Sequence, residues 1–130
     1  MRDILFRGKR LDNGEWVYGF LYCFYDFRRK VVQILRDRTN CIPDTVEVIP
    51  ETVGQHTGKT VKNGKVFDGD ILRSIDGLSL VCWDEEKSSF VMRLYEYPHE
   101  TLYLEEMFDD SEIIGNIHDN NELLKDSLSE

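Results

Sequence analysis

From Trp16 to Tyr25 the chain reads W-V-Y-G-F-L-Y-C-F-Y, ten residues without a charge. Aromatic and branched side chains favour a pleated backbone, and this run is apolar at odd and even positions alike. It predicts a strand that is central in its sheet or covered on both faces. F-D-G-D-I-L at 67–72 leads into another strand, and shorter apolar runs follow the same logic at Ile4–Phe6, Val31–Arg36, Leu80–Trp83 and Phe90–Tyr95. In the last, Phe90, Met92 and Leu94 alternate with Val91, Arg93 and Tyr95, the period of two of a half-buried strand. Turn chemistry separates the runs: Asp12-Asn13-Gly14-Glu15, the polar Asp26–Lys30, the Cys41–Asp44 loop, Asn63-Gly64, Asp76-Gly77, and the acidic D-E-E-K-S-S after Trp83. Each Asn-Gly pair supplies the positive backbone angles of a tight hairpin.

Helical spacing appears only late. Thr101 to Phe108 places Leu104, Met107 and Phe108 on one side, and Asp119-Asn120-Asn121-Glu122 before L-L-K forms a capping box. Between them Glu112 to His118 reads as a final strand, and the polar tail frays after Leu124. The expected fold is one domain over residues 1–125, followed by a polar tail at 126–130. It is mainly β with minor α: an antiparallel sheet partly closed into a barrel, with two short C-terminal helices.

Charge adds an asymmetry. Residues 1–65 hold 12 Lys/Arg against 8 Asp/Glu, or +4, whereas residues 66–130 hold 4 against 17, or −13, giving −9 overall. A net acidic chain is poorly suited to coating nucleic acid, although a basic face built from Arg7, Lys9, Arg10, Arg28, Arg29 and Lys30 keeps nucleic-acid binding as the alternative reading. The opposite signs of the halves suit packing between subunits. No apolar run approaches the roughly 20 residues that span a bilayer, and the charged opening lacks the core of a secretion signal. Cys23, Cys41 and Cys82 are odd in number and unpaired by spacing, so reduced, partly buried thiols in a cytoplasmic protein are expected.

The stretch V-G-Q-H-T-G-K-T, Val53 to Thr60, ends like a phosphate-binding loop. Such a loop needs a glycine where Val53 stands and a helix after the Lys-Thr pair; here a turn between strands follows. No nucleotide site is expected. Nor is there other chemistry at diagnostic spacing. Asp68 and Asp70 could share one face of a strand and one cation, but the intervening Gly69 favours a turn brace. His56, His99 and His118 are too scattered for a zinc site. No cysteine has the surround of a nucleophile, and no catalytic residue, metal or cofactor is expected.

Taken whole, V-I-P-E-T-V-G-Q-H-T-G-K-T-V-K-N-G-K-V-F-D-G-D-I-L, Val48 to Leu72, resembles the signature of the YopX-like phage proteins. The opening R-D-I-L-F-R, the V-C-W-D-E-E-K-S-S-F segment at 81–90 and the closing I-I-G-N-I-H-D-N-N-E-L-L at 113–124 match further family pieces in order. His56 stands where Tyr or Phe is usual, and Asn121 where Pro often sits. The motif residues are Gly54, Gln55, His56, Thr57, Gly58, Asn63, Gly64, Gly69, Asp70, Gly115 and Asn116. The resemblance implies a phage- or prophage-encoded protein of the bacterial host cytoplasm, mainly β and prone to form homo-oligomers; it carries no known reaction. The expected function is that of a non-enzymatic, self-associating accessory module that binds an unidentified phage or host macromolecule. A ligand or metal site in the 53–70 segment is a third possibility.

Overall fold

A computed structural model describes residues 4–36, 44–75, 77–95, 100–107 and 110–123. Expectations resting on Cys41, Asp76, His99, Phe108 or the tail lie outside the described residues. The chain divides into two compact units, Met1–His56 and Thr57–Glu130.

The first unit is an antiparallel sheet. Its strands are β1 (Phe6–Lys9), β2 (Trp16–Asp26), β3 (Arg29–Arg36), β4 (Asp44–Glu47) and the start of β5 (Gly54–Val61), in the order β4-β3-β2-β1-β5. β2 is central, as its composition demands. The turn after β1 closes through backbone bonds from Arg10 N–H to Glu15 O (2.8 Å) and from Gly14 N–H to Arg10 O (2.9 Å), with Gly14 at φ 74°. One face of the sheet carries Val17, Val32 and Ile34, which form a buried cluster with Val48 and against which Phe6, Leu21 and Val53 pack. Pro50–Thr52 makes a single 3₁₀ turn, and the Thr52 hydroxyl accepts the Lys9 N–H (2.9 Å).

The second unit begins as β5 turns through Lys62-Asn63 into β6 (Gly64–Phe67). A five-stranded antiparallel sheet follows: β7 (Asp70–Ser74), β8 (Gly77–Asp84), β9 (Ser89–Leu94), β10 (Thr101–Tyr103) and β11 (Glu112–Asn116), in the order β10-β9-β8-β7-β11. Val66, Leu72, Val81, Met92 and Leu104 form its core, with Phe90, Leu102, Met107 and Ile113 packed around them.

Two expectations are corrected. The sheets are open, and no closed barrel exists among the described residues: β10 and β11 each have one strand neighbour. A helix over Thr101–Phe108 does not form. Thr101, Leu102 and Tyr103 pair with Arg93, Met92 and Val91, and only Leu104–Glu106 coils, as one 3₁₀ turn. The three-and-four spacing was real, since Leu104 and Met107 both reach the core, but a strand and a tight turn deliver them there. A helical turn does start at 121–123, with Leu123 N–H bonded to Asn120 O (3.0 Å). The expected final strand stops at Asn116 instead of His118.

β7 and β11 are joined at their margin by charge. Arg73 lies opposite Glu112, and its Nε–H donates to Glu112 Oε1 at 3.0 Å. The Arg73 hydrogen bond, then its charge, holds the Glu112 carboxyl below the usual carboxylate range. A depressed folded pKa stabilises fully above the unfolded value, near 4.3, and that contribution vanishes as pH falls through the folded value. An Arg73→Met variant should therefore show a shallower loss of melting temperature between about pH 5 and pH 3. Superimposable pH profiles would exclude this coupling.

Candidate functional site

The motif residues come first, because the sequence singled them out. Lys59 and Thr60 lie within β5 and head no helix, so the Gly-Lys-Thr stretch is not a phosphate cradle. Gly54 and Gln55 pair with Arg7 and Phe6, and His56 N–H donates to Leu5 O (2.7 Å). Thr57 Oγ1–H donates to Val66 O (2.9 Å), beside Gly58 at φ 93°. The Asn63 side chain works like a piece of backbone: its Nδ2–H donates to Ile113 O (2.8 Å) and its Oδ1 accepts from Ile113 N–H (2.9 Å). It thus ties the Asn63-Gly64 turn to β11.

The F-D-G-D corner is braced in the same way. Asp70 is 1% exposed, and its Oδ2 accepts the Phe67 N–H at 2.7 Å. Gly69, at φ 94°, donates its N–H to Val81 O and accepts Ile117 N–H, both at 2.8 Å. Asn116 Oδ1 caps the last turn by accepting from His118 N–H (3.0 Å) and Asp119 N–H (2.9 Å). Gly115 leaves room for Asn120, whose Cγ would lie 2.7 Å from an added Cβ. These residues brace corners instead of converging on a ligand. Among the described residues, no group of three His, Cys, Asp or Glu side chains could hold a metal.

A cleft of about 460 Å³ opens between the turn at Arg10–Asp12 and β4. Its charges are already neutralised in pairs: Arg10 with Asp12 (2.8 Å), Arg36 with Asp44, and Glu47 with Arg29 (2.9 Å). The bond to Arg10 holds the Asp12 carboxyl below its ordinary range. An ionic ligand would have to break these pairs, so the cleft is a poor binding site.

The surface that stands out is the other face of β2. Side chains two apart share a face, and on this one lie Trp16, Tyr18, Phe20, Tyr22 and Phe24. Tyr18, Phe20, Tyr22 and Phe24 are 47%, 55%, 55% and 37% exposed. Tyr22 and Phe24 stack at 5.6 Å between centroids. At the start of the stripe the Arg7 guanidinium lies 4.8 Å and the Lys9 ammonium 5.5 Å from the Trp16 ring centroid. Opposite Phe20 and Tyr22 on β3 are Leu35 and Gln33. On the same face Arg7, opposite Tyr18, and Val31, opposite Phe24, are buried at 6% and 3% exposed, so the aromatics between them are the part of this face that meets solvent. A half-exposed row of aromatics of this kind is a candidate interaction surface.

The six basic candidates separate into groups. Arg7, expected on a basic surface, is buried at 6% exposed beside Trp16; Lys9 flanks the stripe at the start of β2, Arg10 is engaged by Asp12, and Arg28, Arg29 and Lys30 sit at the hairpin tip. An 11-residue β2 puts the first and last groups roughly 35 Å apart. They are not one basic patch. Cys23, expected to be partly buried, is exposed, whereas burial pushes the half-buried Cys82 thiol up.

The YopX protein family model matches residues 5–125, a span that includes the braces at Asn63, Gly69, Asp70 and Asn116. The chain belongs to the YopX family. No curated protein matches it. Within this YopX domain Thr57, Asn63, Gly69, Asp70 and Asn116 brace turns and corners, and the aromatic face of β2 lies outside the motif segments. Only the alternation of large aromatic with small or aliphatic residues along β2 could have revealed that face. Among the described residues no helix is long and apolar enough to cross a membrane.

Proposed function

We propose that this YopX-family chain is a non-enzymatic accessory protein of a phage or prophage, acting in the host cytoplasm by binding, and that it self-associates through the open face of β2. The observation that carries this reading is the exposed row Tyr18, Phe20, Tyr22 and Phe24. Aromatic side chains combine large contact area with few rotors, which makes them the side chains of choice at the centre of an interface.

Light scattering after size exclusion tests it. The wild-type chain should run as an oligomer at micromolar concentration. A Tyr18→Ser, Phe20→Ser, Tyr22→Ser variant should run as a monomer with an unchanged far-ultraviolet spectrum. A monomeric wild type at low and high salt would overturn the reading.

A second reading is single-stranded nucleic-acid binding, favoured by Lys9 lying on the same face as Trp16 and Tyr18, where bases could stack; Arg7 on that face is only 6% exposed and does not add to it. It predicts retardation of an oligonucleotide that weakens steeply with salt. Absence of a shift at low salt would remove it.

A further inference from the structure

The β2–β3 hairpin outruns its neighbours. β1 pairs with β2 only as far as Gly19, and β4 pairs with β3 only from Gln33 onward. Val32 O still accepts Val48 N–H (3.0 Å), so the segment from Phe24 through Val31 is a two-stranded arm in its named strand pairings. A lone hairpin is marginal in water, so an arm of this kind gains from a surface to lie on.

Its tip is unusual in three ways. Asp26 pairs with Arg29, leaving Phe27 and Arg28 as a two-residue loop. Phe27 takes φ 57°, a left-handed conformation that glycine favours and that costs a bulky side chain energy. It is also 99% exposed, with Tyr25 71% exposed beside it. The tip is cationic as well: Arg28, Arg29 and Lys30 are exposed, and of these Arg29 is bonded to Glu47. Neither local folding nor burial explains an aromatic in that position. Binding does.

Charge identifies the occupant. The chain carries −9, which disfavours a polyanion as the main partner, but its own residues 66–130 carry −13. Exposed carboxylates there include Glu85, Glu86, Glu105 and Asp110. A second copy offers the arm an acidic surface at a concentration equal to its own. The area is of the right order too. Taking about 200 Å² for a fully exposed aromatic, Tyr18, Phe20, Tyr22 and Phe24 on one face of β2, with Phe27 at the tip, offer roughly 600 Å², about three-quarters of the approximately 800 Å² per partner of a stable interface.

We infer that the arm tip, Tyr25 to Lys30, docks on the acidic C-terminal unit of a second copy, making a head-to-tail and salt-sensitive contact. This rests on self-association through the β2 face and specifies what the arm reaches. Different patches then meet, so the assembly closes as a ring or extends as a chain, and two-fold pairing of like with like is not the mode.

Phe27→Gly is the discriminating variant, because it relieves the left-handed strain and should melt no lower than the wild type. It is expected to weaken association at least tenfold in sedimentation velocity at low salt. Arg28→Glu with Lys30→Glu, which spares the Arg29–Glu47 pair, should do the same. Raising salt from 50 to 500 mM should dissociate the wild type, since exposed charges are then screened within a few ångströms. If both tip variants associate like the wild type while the Tyr18, Phe20, Tyr22 variant does not, the tip inference is overturned and the β2-face reading stands. A wild type that is monomeric at low salt overturns both. A monomer whose tip variants lose affinity for a fluorescent oligothymidylate shows the arm to be a nucleic-acid element instead.

Discussion

Replacing Asp70 with alanine is expected to destabilise the second unit by about 3 kcal/mol, the scale for a buried hydrogen bond to a charged group plus the donor it strands. The carboxylate is almost wholly enclosed and holds the Phe67 N–H at 2.7 Å, across the two residues that turn β6 into β7. With alanine the N–H remains, buried and without that acceptor, at the corner where Gly69 already uses its N–H and its carbonyl on Val81 and Ile117. Asp70→Asn keeps an oxygen within reach and should recover part of the loss. Urea unfolding of both variants measures the difference. If the alanine variant loses less than about 1 kcal/mol, the carboxylate is not a brace.

Gly19→Ala should be nearly as damaging, by about 2–3 kcal/mol, for a reason of space alone. A methyl group at Gly19 would lie 2.9 Å from the carbonyl carbon of Leu35, closer still to its oxygen, and 3.1 Å from Ile34 Cγ2. Backbone cannot rotate aside, so β2 and β3 must part. Gly14 makes the useful comparison. Its φ of 74° penalises a side chain, but nothing lies within 4 Å of an added Cβ. Gly14→Ala should therefore cost about 1 kcal/mol. Denaturation curves for the pair test the ordering, and equal losses would show that the close approach at Gly19 relaxes freely.

Much of the fold was legible wherever structure is decided by neighbouring residues. Asn63-Gly64 makes a hairpin, Asp84 braces its acidic turn by accepting Lys87 N–H (3.0 Å), and Phe90–Leu94 is a strand, although Val91, expected on the open face, is fully buried. Asp70 as a turn brace and the failure of the Gly-Lys-Thr stretch to form a phosphate loop were likewise readable from local chemistry. What lay beyond the sequence was decided at a distance. Thr101–Tyr103 has a helical pattern, yet its hydrogen bonds are taken up by β9. The pair of hydrogen bonds between the Asn63 side chain and the Ile113 backbone spans fifty residues and has no local signal. The aromatics of β2 looked like core because size and apolarity do not say which face is covered. Val17, Gly19 and Leu21 take the inner side, which leaves the even positions outward. Phe27 was hidden for a related reason: a turn of Phe-Arg lacks the Asn or Gly that announces a left-handed residue.

The last strand has a temporal consequence. β7 finds one neighbour, β8, within a few residues, but the other is β11, and both Asn63 and the Gly69 carbonyl wait for partners at Ile113 and Ile117. A ribosome releasing this chain vectorially must synthesise nearly all of it before the second unit can close. Until then the nascent polypeptide holds an unfinished sheet margin, and a message broken shortly before codon 112 would yield a product unable to complete its fold.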